Sequence, residues 1–84
     1  MDNITKLFKN YSWEEEKKTD EHQLFVKGNR EFSIKSGSIY VYISYPLHES
    51  KYNHELKTLK EDKEYIYNTI KNKLEYFEFC NRNY

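Results

Sequence analysis

Three histidines, a single cysteine and a crowd of carboxylates are the residues of this chain that could do chemistry, and their spacing argues against most of it. His48 and His54 stand beside Glu49 and Glu55, a pattern that is neither HExxH nor a zinc-finger spacing. Cys80 has no second cysteine to join it, so a reduced thiol and no metal site are expected, with His22, His48 and His54 on the surface. Lys63 falls inside an apolar helical pattern, where a buried amine of lowered pKa would suit Schiff-base chemistry. Nothing around it suggests a carbonyl or phosphate site, and its stem is expected to cover apolar surface while the amine reaches water. Both glycines, Gly28 and Gly37, sit in turn dipeptides, so there is no phosphate loop, and no nucleophile elbow is present. No pair of carboxylates is placed by spacing in an apolar pocket that would tune it. The chain is read as non-catalytic and free of cofactors.

Three groups of residues suit binding instead. Glu14, Glu15 and Glu16 with Asp20 and Glu21 form an acidic run beside Trp13, able to meet a basic groove on a partner as a phosphate run would. Tyr65, Tyr76 and Phe79 make an aromatic edge on the C-terminal helical pattern, opposite its main stripe, and are expected to touch the first helix, a second protomer or a partner. Phe25, Tyr40 and Tyr42, flanked by Lys27, Arg30 and Lys35, would form a stacking face for single-stranded nucleic acid if they share one side of a sheet.

The elements that must position these residues can be read from periodicity. Ile4, Leu7, Phe8 and Tyr11 follow helical spacing behind a cap at Asp2 or Asn3. Ser12-Trp13-Glu14-Glu15 matches a capping box, so the helix is expected to restart at Ser12 or to bend and run to about Lys18, with Glu14 and Lys18 paired. From 22 to 45 the period changes to two. Gly28-Asn29 and Ser36-Gly37 divide that stretch into a three-stranded antiparallel meander. A three-residue loop from Gly28 to Arg30 would oppose Val26 to Phe32, and a two-residue turn at Ser36-Gly37 would oppose Ile34 to Ile39. The inner face is then Leu24, Val26, Phe32, Ile34, Ile39, Val41 and Ile43.

Pro46 ends the third strand. From Ser50 to Cys80 neither proline nor glycine intervenes. Tyr52, Leu56, Leu59, Ile66, Tyr67, Ile70, Leu74 and Phe77 form one apolar stripe, which predicts a helix of about 45 Å capped by Ser50 or Asn53. The expected fold class is α+β, a three-stranded meander packed on a long C-terminal helix with a short N-terminal helix, α-β-β-β-α, in two layers and a single domain over residues 1–84.

Composition bounds the function further. Fourteen basic and fourteen acidic side chains leave no net charge, which argues against a generic polyanion binder. No apolar run approaches a membrane span and no signal segment opens the chain, so a cytoplasmic protein is expected. A domain this small buries only roughly 60% of its unfolded surface, and self-association would help it. Alanine is absent, and residues with AT-rich codons dominate. That suggests an AT-rich bacterium, or a phage or plasmid living in one. The resulting expectation is a protein–protein interaction module, a small inhibitor of a bacterial defence or nucleic-acid-processing complex of the anti-CRISPR kind. The alternatives are a single-stranded nucleic-acid binder and a homodimer through the C-terminal helix.

Overall fold

A short helix, a five-stranded meander and a long helix make up the chain in the computed structural model, which describes residues 2–47 and 51–83. The elements are α1 (Asp2–Asn10), β1 (Glu14–Lys18), β2 (His22–Lys27), β3 (Arg30–Ser36), β4 (Tyr40–Pro46), β5 (Asn53–Leu59) and α2 (Lys63–Asn83). The strands pair antiparallel in the order β1-β2-β3-β4-β5. Both helices bury their apolar stripes in one cluster with one face of the sheet: Ile4, Leu7 and Phe8 from α1, and Ile66, Ile70, Leu74 and Phe77 from α2. The α+β class and the two helices stand, and the meander has five strands rather than three.

The first added strand replaces the expected helical restart. Ser12 is not an N-cap but the residue that ends α1. It has a φ of +65°, its N–H donates to Lys9 O at 3.0 Å, and the Trp13 N–H donates to Phe8 O at 3.0 Å. This is a Schellman closure with its usual apolar contact, the Trp13 ring lying 5.9 Å from the Phe8 ring. The chain leaves it extended, so the glutamates continue as β1.

The second added strand is taken from the expected long helix. Residues 53–59 have good helix formers, but the free edge of β4 offers a seven-residue ladder, from Tyr40 opposite Leu59 to Pro46 opposite Asn53. Pairing there outweighs local propensity. Tyr52, Leu56 and Leu59 therefore leave the helical stripe, and α2 starts after Asp62, whose carbonyl accepts the Ile66 N–H at 2.9 Å. Asp62 is of the residue type preferred at that capping position. Lys63 is exposed in the first turn of α2, where it lines a hollow with Ile39 and Leu59. Of the two expected caps, Asn53 opens β5, and Ser50 lies outside the described residues.

The registers also differ. Gly28 has a φ of +61° and Lys27 stands opposite Arg30, a two-residue turn in place of the three-residue loop. That one-residue slip turns β2 over: Gln23 and Phe25 are buried, while Leu24 and Val26 lie on the outer face. The slip wins because Phe25, at 0% exposure, stacks on Phe8 with ring centroids 3.8 Å apart. Between β3 and β4, Ile34 faces Ile43 instead of Ile39. An even shift keeps Phe32, Ile34, Val41 and Ile43 inside but leaves Ile39 at the hairpin tip, 60% exposed. The Gly37 N–H closes that hairpin on Tyr40 O at 2.8 Å, and a Cβ on Gly37 would sit 3.3 Å from the same oxygen.

Two outcomes follow for stability. Phe25→Ala should cost about 3–5 kcal/mol in urea unfolding, and Leu24→Ala, on the outer face, under about 1 kcal/mol. Ser12→Gly should raise the urea midpoint, worth about 0.5–1 kcal/mol, because glycine adopts the positive φ without a Cβ penalty.

Candidate functional site

The three groups of binding residues fare differently in the fold. The acidic run loses Trp13, which is 2% exposed and packs edge-on against Phe8, Phe32 and Phe77. Its indole N–H is buried with no hydrogen-bond partner among the described residues. Trp13 is therefore core and not interface. Glu14, Glu15 and Glu16 are exposed on the edge strand β1, and Asp20 and Glu21 are exposed in the turn that follows. A bulge between Glu15 and Lys17 and the strand's alternation distribute these carboxylates over both faces of the edge. Glu15 turns toward α1 and accepts a 3.3 Å hydrogen bond from Thr5 Oγ1.

The nucleic-acid group is divided by the sheet. Phe25 is in the core. Lys27 lies on the helix side, where its ammonium donates to Tyr11 O at 2.7 Å and to Glu78 Oε2 at 2.8 Å. Arg30, opposite Lys27, shares that side. Only Tyr40, Tyr42 and Lys35 share the outer face. There the Lys57 ammonium sits 4.1 Å over the Tyr40 ring and occupies one of its faces. By strand parity the outer face carries Lys17, Lys35 and Lys57 against Glu14, Glu31 and Glu55, so it offers phosphates no net attraction.

The outer face does hold a shallow polar hollow of about 270 Å³, lined by residues that include His22, Glu31, Ser33, Lys35, Tyr42 and Glu55. His22 Nε2 lies 3.0 Å from Ser33 Oγ. Asn53 spans β4, its amide donating to Ser44 Oγ at 3.1 Å and Glu31 O at 3.0 Å. Burial, followed by the positive charges of Lys17 and Lys35, holds the His22 pKa below its ordinary value of 6.5. Of the other histidines, His54 stacks beside Tyr45 on the helix side with ring centroids 6.1 Å apart, and His48 lies outside the described residues. Among the described residues no group of three or more His, Cys, Asp or Glu could hold a metal ion, and no helix is long and apolar enough to cross a membrane.

The helix group holds together. Tyr65, Tyr76 and Phe79 are 52%, 56% and 65% exposed. At about 100° per residue, Tyr65, Thr69, Asn72, Tyr76 and Phe79 fall within roughly 80° of one another, a strip with no charge in a chain that is one-third charged. Tyr65 also shares a hollow with Tyr40, Lys57 and Leu59, and Leu59 lines a second hollow with Ile39. The strip therefore continues into an apolar corner at the turns before β4 and after β5. Sequence pattern places Ile39 and Leu59 in the interior, whereas the fold exposes both. The signal for their exposure was their position beside the polar turns Ser36-Gly37-Ser38 and Lys60-Glu61-Asp62.

No family model matches the chain, and neither a curated protein nor a solved structure does.

The lowered His22 pKa has a signed consequence. The unfolded chain takes up this proton more readily than the folded one, so stability is full above the ordinary histidine range and falls as pH drops through about 6.5. Urea midpoints measured across that range should fall more steeply in the wild type than in His22→Gln.

Proposed function

We propose that the chain is a non-catalytic protein-interaction module that docks on a larger protein through the outer strip of α2 and the adjoining corner. The observation that carries this reading is the strip itself. Exposed aromatic side chains in a charge-free sector are the composition of an interface centre rather than of a solvated helix face. Tyr and Phe bring large contact areas with few rotamers to fix, and the surrounding Thr69 and Asn72 add hydrogen-bonding capacity without desolvating a charge.

The biological role we propose is a small inhibitor, carried by a phage or mobile element, of a bacterial defence or nucleic-acid-processing complex, acting in the cytoplasm. Small size, codon-biased composition and the acidic β1 edge support it. Glu14, Glu15 and Glu16 would then steer approach to a basic partner, and α2 would supply the affinity. A single-stranded nucleic-acid platform is the weaker reading, because Phe25 and Lys27 leave the outer face and the remaining charges there balance.

The test is affinity capture from an AT-rich bacterial lysate, with and without nuclease. The expected result is a stoichiometric protein partner that survives nuclease and is lost with Phe79→Glu or Tyr76→Glu, both of which stay folded by circular dichroism. It should be retained by the outer-face variant Tyr42→Ala. Recovery that requires nucleic acid and vanishes with Tyr42→Ala would replace this reading with the nucleic-acid one.

A further inference from the structure

The two edges of the sheet are built differently. Every residue of β1 is charged and exposed, three acidic and two basic, and its bulge interrupts the register, so an arriving strand would find a broken ladder lined entirely with charged side chains. In β5 all seven residues, Asn53–Leu59, pair with β4 in unbroken register, with neither proline nor bulge. The Lys60 N–H donates to Ile39 O at 2.8 Å, which makes residues 39 and 60 a hydrogen-bonding pair. By antiparallel alternation the pairs 41/58, 43/56 and 45/54 are of the same kind. Residues 53, 55, 57 and 59 therefore turn their backbone N–H and C=O groups away from β4. Among the described residues no strand lies beyond β5, so these groups form an open ladder.

The side chains on that ladder complement themselves. When β5 is laid antiparallel to a second β5 about a two-fold axis through Leu56, Glu55 stands opposite Lys57 of the other copy, and Lys57 opposite its Glu55. Both are outward-bonding positions, so they meet as hydrogen-bonded pairs, and Leu56 meets its counterpart on the helix side as a close non-bonded pair. The two nearest registers that keep bonding positions opposed fail. Centring on Glu55 opposes glutamate to glutamate, and centring on Lys57 opposes lysine to lysine. A lysine in an edge strand normally deters pairing. Here the glutamate two residues before it restricts pairing to one partner.

We propose that β5 is a self-recognition edge and that its occupant is a second copy of this chain, joined antiparallel about Leu56 into one continuous sheet. Leu56, half-buried in the single chain, is covered at the seam. The exposed Leu59 and Tyr65 stand at the ends of the seam. The axis runs through the sheet, so both α2 helices lie on the same side of it. The seam and the proposed docking surface meet at Leu59 and Tyr65, and they are told apart by Glu55 and Lys57 on one and Tyr76 and Phe79 on the other.

Sedimentation of the full chain from micromolar to millimolar concentration tests the proposal. The wild type should dimerise reversibly. Glu55→Lys and Lys57→Glu should each weaken the dimer by about tenfold or more, since the axis counts each altered pair twice. Glu55→Lys mixed with Lys57→Glu should form a heterodimer, because both cross-strand pairs become complementary again. The double variant Glu55→Lys/Lys57→Glu should recover homodimerisation. Both positions are exposed, and circular dichroism should find every variant folded. A wild type that stays monomeric at millimolar concentration would overturn the proposal. So would a dimer indifferent to both reversals, or one lost instead with Phe79→Glu, which would move the seam to α2.

Discussion

The stack of Phe8 on Phe25 is the contact around which this protein is arranged. The rings are parallel within 3° and 3.8 Å apart, and both side chains are fully buried. Phe32 meets Phe8 edge-on at 4.8 Å, Trp13 meets Phe8 and Phe32, and Phe77 meets Trp13. One aromatic cluster thus ties α1, β2, β3 and α2 together. A chain of this length buries little apolar surface, and aromatic rings concentrate that burial in few residues. The stack also decides which way β2 faces, and with it which side chains the outer face can show.

Polar contacts then lock the ends of the layers. Lys27 reaches from β2 to the Tyr11 carbonyl, just past the end of α1, and to Glu78 of α2. A cation at a helix C-terminus meets the partial negative charge of the unpaired carbonyls, and the second bond balances its own charge. Tyr11 adds a link beside it. Burial and the neighbouring Glu75 carboxylate, to which its hydroxyl is hydrogen-bonded, raise the Tyr11 pKa. The residue that looked like part of a phosphate-binding face is thereby a clamp between layers.

With both helices on one side, the outer face of the sheet is left to water and its charges balance across it. What distinguishes the surface is its asymmetry: a charged, bulged edge at β1, a regular edge at β5, and a charge-free aromatic strip along α2. The strip supports the reading as a docking module, and the regular edge carries the separate inference of self-pairing. The two meet at Leu59 and Tyr65, but one rests on Tyr76 and Phe79 and the other on Glu55 and Lys57, so failure of one leaves the other standing.

The α+β class, the first helix, the apolar stripe from Ile66 to Phe77 and the exposed positions of Tyr65, Tyr76 and Phe79 are legible in the residue pattern alone. These follow from local periodicity, which backbone geometry turns directly into faces. Tertiary structure decided the rest. Residues 14–18 and 53–59 carry helix-compatible patterns, and only an available strand edge converts them to β1 and β5, because ladder hydrogen bonds with a distant partner outweigh a few tenths of a kcal/mol per residue of propensity. In β2 both faces are apolar, Leu24 and Val26 against Phe25, so alternation could not choose between them; the ring of Phe8 did. Strand parity then separated Phe25 and Lys27 from Tyr40 and Tyr42, and the aromatic cluster took Trp13 into the core. The apolar corner of Ile39 and Leu59 and the pairing of Glu55 with Lys57 exist only once register places them, since register is a property of two strands and not of one.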